Sequence, residues 1–272
     1  MPLTYVVEHL NRQLSDLHPA SLLKNKSRFF YDNRKVSATV GSFQLEPRHF
    51  PVLDPVTGAT VARDTRLVVR DSQGKEQGAD ILYLQAWDAA DVIFLDRFIR
   101  TLHALHHIDT ANPGTESLIL DVHVRHLAAV PTAHGQVFEQ LLDTLGLNPR
   151  QIIFRIDAEL VLSMPEVLLA TRNFLLCGYT LLAHFEQPDN YSLVTLGSIG
   201  FRWASVASPA ATPQQGHAGV QEWIATARKA GLITLGPSDV PRLGSDEFHY
   251  RVEPAAVSVA FTPPLSRANG TF

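Results

Sequence analysis

The sequence has one cysteine, a small net charge and no long apolar run. One cysteine, Cys177, among 272 residues excludes an internal disulfide framework. A formal net charge of −4 and a pI near 6.3 argue against a strongly basic nucleic-acid binder. No apolar stretch reaches the roughly 18 residues of a membrane-spanning helix, and the first residues lack the pattern of a signal peptide. We therefore expect a cytoplasmic protein without a membrane span or a nucleic-acid partner.

Short β-rich runs alternate with helical runs from about residue 41 onward. Apolar residues recur at helical spacing over residues 91–108, and the helical runs that follow end on Gly146, Gly178 and Gly231, which are typical helix stops. The strand candidates are RHFPVLD, ATVARDTRLVV, SLILDVHV, QIIFRIDA, YTLLAHFE, GFRWASV, LITLG and AVSVAFTP. Strand, helix, glycine and strand in this order predict parallel βα units. Their number and the chain length favour a closed α/β barrel, the (β/α)8 type.

The strand candidate around residues 60–71, TVARDTRLVVRD, carries charges on both faces. Side chains alternate across a strand, so Asp64, Arg66 and Arg70 share one face while Arg63 lies on the other. Charges of both signs on one short strand are typical of a binding site or of a site that has changed its chemistry.

Several segments together resemble the EAL domain family of cyclic-di-GMP phosphodiesterases. In FPVLDPVTGATVARDTRLVVR, the residues that hold the places of the family's opening motif are Pro51, Asp54, Thr57, Gly58 and Arg70. FLDRFI, LLDTLGLNPRQIIFRIDA, RNFLLCGYTLLAHFE and VAFTPPL resemble later family motifs in the right order. The resemblance implies a TIM-like barrel of EAL type in which one strand runs antiparallel. It also implies the family's reaction, which is phosphodiester hydrolysis with two divalent cations.

The resemblance and the composition together predict three parts of the chain. Residues 1–40 form an N-terminal extension that begins with a short amphipathic helix over residues 4–17. Residues 41–266 form a degenerate EAL-like barrel, and residues 267–272 form a flexible tail. Within the barrel, the Pro-, Ala- and Gln-rich residues 208–219 are expected to be a flexible loop.

The positions that carry the family's metal chemistry differ in this sequence. The motif glutamate falls on Arg66, and the glutamate of a later strand falls on Arg155. The metal-binding asparagine falls on Asp121, and the paired aspartates fall on Ala183 and His184.

The nucleotide-site positions differ as well. The family's glutamine falls on Phe50, the glycine after the paired aspartates falls on Glu186, and a strand lysine falls on Arg202. Arg70 alone keeps its family identity among these positions.

Two arginines in place of two carboxylates would repel Mg²⁺. We therefore expect no catalytic residue, no bound metal and no cofactor. Arg66 and Arg155 are expected to pair instead with Asp121, Asp157 or Glu186 in the barrel mouth.

The expected function is that of an inactive homologue that acts by binding another protein. The resemblance points to a transcriptional or motility regulator as the partner and leaves a homodimer open. One alternative is a receptor that binds cyclic-di-GMP without cleaving it, with Arg66, Arg70 and Arg155 on the phosphates. Another is a different enzyme with a metal on Asp121, His123 and His184.

Three histidines lie close together near the end of one predicted helix: His103, His106 and His107. Histidines at a helix C-terminus interact favourably with the helix dipole, so we expect no ligand there.

Overall fold

The computed structural model describes residues 2–111, 114–129, 136–207, 216–237 and 248–253. The strands in these ranges are β1 (Ser27–Asp32), β2 (Lys35–Val40), β3 (Phe43–Leu53), β4 (Thr60–Arg70), β5 (Glu76–Gln77), β6 (Ser117–Asp121), β7 (Ile152–Asp157), β8 (Thr180–Phe185), β9 (Trp203–Val206), β10 (Ile233–Gly236) and β11 (Tyr250–Val252). The helices are α1 (Leu3–Arg12), α2 (Leu14–Leu17), α3 (Asp80–Tyr83), α4 (Ala89–Thr110), α5 (Val124–Ala129), α6 (Gln136–Leu145), α7 (Ala158–Ser163), α8 (Pro165–Leu176), α9 (Ser192–Ile199) and α10 (Gly216–Lys229), with 3-10 turns at Leu23–Lys26 and Pro149–Gln151. None of these helices combines the length and apolarity that crossing a bilayer requires.

Eight strands close into a barrel. Their order around the ring is β3, β11, β10, β9, β8, β7, β6 and β4, and β4 pairs back with β3. β3 runs antiparallel to both of its neighbours, whereas the other neighbouring strands run parallel. The predicted TIM-like barrel with one antiparallel strand is thereby confirmed.

The sheet continues beyond the ring on the side of β3. β1 and β2 form an antiparallel hairpin that pairs with β3, and β5 pairs with the far end of β4. The predicted boundary at residue 40 falls in the turn at Gly41, between β2 and β3. β1 and β2 belong to the same sheet as the barrel strands. The separation of residues 1–40 from the barrel stays a prediction.

The last barrel strand differs from the predicted one. AVSVAFTP lies outside the described residues, as do VAFTPPL, the tail 267–272 and residues 208–215 of the predicted loop. The ring is closed by β11, which is only three residues long and pairs with β10 and β3. A run this short has no periodicity to detect, because its place depends on partners far away in sequence.

The apolar side chains divide into two cores. A large core lies between the outer face of the sheet and the helices, and it includes Phe98 of α4 and Phe154 of β7. A small core fills the barrel itself, with one residue from each of six strands: Val52, Ala62, Ile119, Ile153, Leu182 and Leu235. Trp203 stacks on Tyr250 beside this layer, with ring centroids 5.0 Å apart. The barrel is therefore a packed core that supports a polar layer above it.

The N-terminal segment is attached to the start of α4. Asp88 caps this helix by accepting a hydrogen bond from the Asp91 backbone N–H at 2.9 Å. The Asp91 carboxylate accepts hydrogen bonds from the Ser21 hydroxyl, the Leu22 N–H and the Trp87 N–H at 2.6–3.2 Å. Burial alone would raise the pKa of Asp91, but these hydrogen bonds lower it below the usual value.

Gly236 ends β10 where only a hydrogen fits. A Cβ on Gly236 would lie 2.3 Å from the ring of Phe248, a fully buried side chain. We expect Gly236→Ala to lower the free energy of unfolding by about 1–3 kcal/mol through overpacking. Gly78→Ala is the matched control, because a Cβ on Gly78 meets nothing within 4 Å. Urea unfolding monitored by tryptophan fluorescence measures both, and equal stabilities would contradict the expectation.

Candidate functional site in the barrel mouth

The side chains that point into the barrel are apolar in one layer and polar in the next layer, two residues further along each strand. On successive strands, Ala62 is followed by Asp64, Ile119 by Asp121, Ile153 by Arg155 and Leu182 by His184, each two residues further along. Because alternate residues share a face, the four polar side chains enter the same end of the barrel. This end is the C-terminal mouth of the parallel strands, where active sites of such barrels lie.

Arg155 is the central side chain of the mouth. Its Nε and one terminal nitrogen donate to the two carboxylate oxygens of Asp121 at 2.5 and 3.0 Å. The other terminal nitrogen donates to Asp64 Oδ1 at 2.7 Å. Side-chain exposure is 10% for Arg155 and 1% for Asp64. One guanidinium therefore connects β7 to both β6 and β4 and neutralises a carboxylate with no access to water.

Electrostatics in the mouth follow from this arrangement. Burial acts to raise the pKa of Asp121, but Arg155 outweighs it and holds the pKa below its usual value. Burial also acts against the charge of Arg155, yet the two carboxylates raise its pKa above the ordinary value. Asp121 and Arg155 are therefore ionised together at neutral pH.

Arg66 lies at the rim of the mouth. Its guanidinium is 3.6 Å from Asp64 Oδ2, and its side chain is 62% exposed. The contact is long and solvated, so it adds little to stability. Arg155, Asp64 and Asp121 are called the Arg155 cluster below. Arg66 therefore keeps a cationic head group directed to solvent above this cluster.

His184 forms a second polar pair in the mouth. Its Nδ1 lies 2.9 Å from the hydroxyl oxygen of Ser205, and its Nε2 lies 3.9 Å from a carboxylate oxygen of Glu186. Burial and then Arg155 lower the pKa of His184, so its ring is neutral at pH 7. A cavity of about 340 Å³ has Asp64, Arg66, Arg155, His184 and Ser205 in its wall.

Two further candidate residues lie on the hairpin of β3 and β4. Phe50 is opposite Asp64 in the antiparallel register and is half-buried. Arg70 ends β4, where it pairs with Glu46 at 3.0 Å and with Glu76 at 3.7 Å. Arg70 is therefore occupied outside the Arg155 cluster.

The remaining candidate positions are separated from the cluster. Ala183 is fully buried and faces the large outer core, and Glu186 is exposed just past β8. Arg202 precedes β9 and is exposed at the strand's N-terminal end, opposite the mouth. Ser205 is the β9 residue whose side chain faces the mouth.

The predicted strand SLILDVHV ends earlier than expected. Past Asp121 the Val122 N–H donates to the Arg155 carbonyl, and the His123 N–H donates to the Asp96 carboxylate at 3.0 Å. The chain then enters α5. His123 stacks on Tyr83 with ring centroids 3.6 Å apart, away from His184.

The mouth does not fit the divalent cations that the fold suggests. Asp64 and Asp121, the oxygen ligands at its centre, are both hydrogen-bonded to Arg155. Asp157, a predicted partner of the arginines, instead caps α7 by accepting from the Leu160 N–H at 3.0 Å. In the described ranges no three His, Cys, Asp or Glu side chains are placed to hold a metal ion.

Sequence reasoning missed Asp64 and Ser205. The signal for Asp64 was its position two residues before Arg66 on the same strand face. Ser205 had no sequence signal, because its role depends on the register that places it beside His184.

Comparison with solved structures identifies the fold. The chain is similar to the PaMucR phosphodiesterase in its c-di-GMP complex, with TM-score 0.60, 12% identity and coverage of 77% of this chain and 89% of that one. It is similar to the FimX EAL domain of Pseudomonas aeruginosa bound to c-di-GMP, with TM-score 0.60, 11% identity and coverage of 93% and 94%. For Klebsiella pneumoniae BlrP1 the values are 0.60, 14%, 93% and 64%. The sequence matches no family model and no curated protein. At these identities the likeness establishes the EAL-domain fold.

Removing the central guanidinium tests its structural role. We expect Arg155→Met to lower the free energy of unfolding at pH 7 by about 3–5 kcal/mol, because it removes the direct hydrogen bond to buried Asp64 and leaves only the long, solvated contact with Arg66. Arg66→Met is the control and should cost less than about 1 kcal/mol. Adding Asp64→Asn to Arg155→Met should recover part of the loss. Urea unfolding measures all three, and an Arg155→Met protein as stable as the Arg66→Met protein would contradict this account.

Proposed function

We propose that this chain, with its EAL-domain fold, is a regulatory protein that does not hydrolyse cyclic-di-GMP and acts by binding another protein. The observation that supports the absence of hydrolysis is that Arg155 pairs with both Asp64 and Asp121. A metal-dependent hydrolase of this fold needs its carboxylates free to bind cations.

The energetic argument starts from the buried guanidinium. A cation that took Asp64 and Asp121 would leave Arg155 buried without a partner, which costs several kcal/mol. The cation would also be repelled by Arg155, by about 8 kcal/mol for a divalent ion at 4 Å with an effective dielectric near 20. The solvated Arg66 would repel it more weakly. These two terms oppose metal binding, so the proposal assigns no catalytic residue in the mouth.

Exposed apolar side chains support the protein-binding half of the proposal. Trp87 is 95% exposed and Leu22 is 72% exposed. Their backbone N–H groups donate to the same Asp91 carboxylate, so the two residues lie side by side at the start of α4. Leu84, three residues before Trp87, is also largely exposed. An exposed tryptophan with apolar neighbours is typical of a protein interface. A transcriptional or motility regulator is the partner class that we propose.

A receptor for cyclic-di-GMP is the second candidate, favoured by the exposure of Arg66. Within the described residues its guanidinium is held only by the 3.6 Å contact to Asp64, and it lies at a cavity that also reaches His184 and Ser205. An arginine in this position can pair with a phosphate. All three of the similar structures named above contain c-di-GMP.

Incubation with cyclic-di-GMP and either Mg²⁺ or Mn²⁺ tests the loss of hydrolysis. We expect no linear or mononucleotide product by chromatography over hours, because the mouth carboxylates are bound to Arg155. The PaMucR phosphodiesterase serves as the positive control. Metal-dependent product formation by the wild-type protein would contradict the proposal.

Isothermal titration with cyclic-di-GMP separates the two candidates. A protein-binding regulator gives no heat, with or without Mg²⁺. A receptor gives micromolar binding that is indifferent to Mg²⁺ and that Arg66→Ala weakens by at least about 1 kcal/mol.

Partner capture tests the apolar patch directly. We expect Trp87→Ala to reduce recovery of a partner from lysate at least tenfold, whereas Arg66→Ala leaves recovery unchanged. Tyr191→Ala is the matched control, since Tyr191 is equally exposed and precedes α9. Equal recovery by all variants would argue against this surface.

A further inference from the structure

Four histidines from two elements meet on the outer face of the barrel. His49 of β3 packs against His103, His106 and His107 of α4. His49 Nε2 lies 3.3 Å from His103 Nδ1. The His49 ring lies edge-on to His106 at 4.5 Å between centroids and 6.2 Å from His107. We call these four residues the histidine cluster.

The cluster is largely shut off from water. His107 is fully buried and His103 is 4% exposed. In the part of the chain that the structure describes, the Nδ1 atoms of His49 and His106 and both ring nitrogens of His107 make no hydrogen bond of normal geometry. Neutral rings tolerate this environment better than charged ones, because a buried cation without a partner is far more costly than a buried neutral group.

The carboxylates nearest the cluster are already engaged. On the adjoining strands Glu46 of β3 pairs with Arg70, and Asp121 of β6 pairs with Arg155.

On α4, Asp109 accepts a hydrogen bond from the Tyr31 hydroxyl at 2.9 Å. Glu116, just before β6, pairs with Arg63 of β4 at 2.5 Å. Arg63 itself places a positive charge near His49, His106 and His107. The surroundings therefore offer little compensation to a protonated ring.

The His49–His103 contact adds a geometric limit. One of the two facing nitrogens must donate the hydrogen and the other must accept it. If both rings were protonated, two N–H groups would face each other at 3.3 Å. The pair therefore holds at most one added proton without separating.

Burial lowers the pKa of all four rings. The pKa of His103 falls to about 3. That of His107 falls to about 4, although the backbone and carboxylate of Glu116 act to raise it. All four rings are therefore neutral at pH 7.

We propose that the histidine cluster is an acid-sensitive latch that holds β3 against α4 while its rings are neutral and releases them when the rings take up protons. The opposite face of β3 carries Phe50, which pairs in register with Asp64 of the mouth. Release of β3 from α4 therefore also affects the barrel mouth, because His49 and Phe50 are neighbours on the same strand.

The direction of the pH effect follows from linkage. Above about pH 6.5 the rings are neutral in both the closed and the opened state, so the latch is at full strength. As the pH falls below 6.5, the opened state binds protons that the closed state does not, and stability is lost until the pH reaches the lowered pKa values. At pH 5 each such ring reduces the folding equilibrium constant by about 30-fold relative to pH 8.

Urea unfolding of the full chain between pH 8 and pH 5 tests the latch. The measured quantity is the ratio of the folding equilibrium constants at pH 8 and pH 5. His107→Phe keeps a ring in place but cannot titrate, so we expect its ratio to be about 30-fold smaller than that of the wild type. His49→Phe is a second variant with the same expectation, in case one substitution prevents folding. His9→Gln, on α1 outside the cluster, should leave the ratio unchanged.

Hydrogen exchange locates the effect. After correction for intrinsic rates, amides of β3 and α4 should exchange at least tenfold faster at pH 5.5 than at pH 7.5 in the wild type, and less so in His107→Phe. A wild-type ratio below tenfold, or wild-type pH dependence in both phenylalanine variants, would overturn the proposal. Neither result bears on hydrolysis or partner binding, so this test is independent of the proposed function.

Discussion

The buried carboxylate of Asp64 requires a counter-charge, and the arrangement of the barrel mouth follows from how that requirement is met. Asp64 has almost no contact with water, so leaving it ionised and unpaired would be very costly. Arg155 meets the requirement and at the same time binds Asp121 through two hydrogen bonds. Three neighbouring strands, β4, β6 and β7, are thus joined by one side chain at the height where a barrel of this type presents its chemistry. A guanidinium in this place gives the mouth rigidity and little room for a second cation.

The Arg155 cluster and the histidine cluster differ in whether their buried groups have partners of opposite charge. In the Arg155 cluster, the buried guanidinium and the two carboxylates that it binds compensate one another's charge. The histidine cluster contains no compensating charge, and its burial is tolerated only while the rings are neutral. The exposed patch formed by Leu22 and Trp87 is fixed by the Asp91 hydrogen bonds at the start of α4, the helix that carries three of the four histidines at its other end. α4 therefore connects the proposed partner surface with the acid-sensitive contact.

Much of the fold was predictable from local pattern. Helical spacing and terminal glycines predicted α4, α6, α8 and α10, and β-rich runs predicted β3, β4 and the strands from β6 to β10. β1, β2 and β5 were not predicted, and β3 begins five residues before its predicted start. The predictions were less accurate where a distant partner decides the structure. SLILDVHV has the pattern of an eight-residue strand, but Arg155 and Asp96 bind its backbone past Asp121 and turn the chain into α5. β11 has three residues and takes its place from β10 and β3.

The sequence by itself determined the class of fold and the placing of Asp64 and Arg66 on one face of β4, because these depend on period, order and residue type. Only the tertiary structure decided which charges meet. Asp64 pairs with Arg155 across 91 positions of sequence, Ser205 bonds to His184, and His49 joins three histidines that lie more than fifty residues away. Such contacts are set by strand register and by how the helices pack on the barrel. Local sequence does not determine strand register or helix packing, because both depend on hydrophobic burial over the whole fold. Which polar groups become hydrogen-bonded partners then depends on where that packing places them.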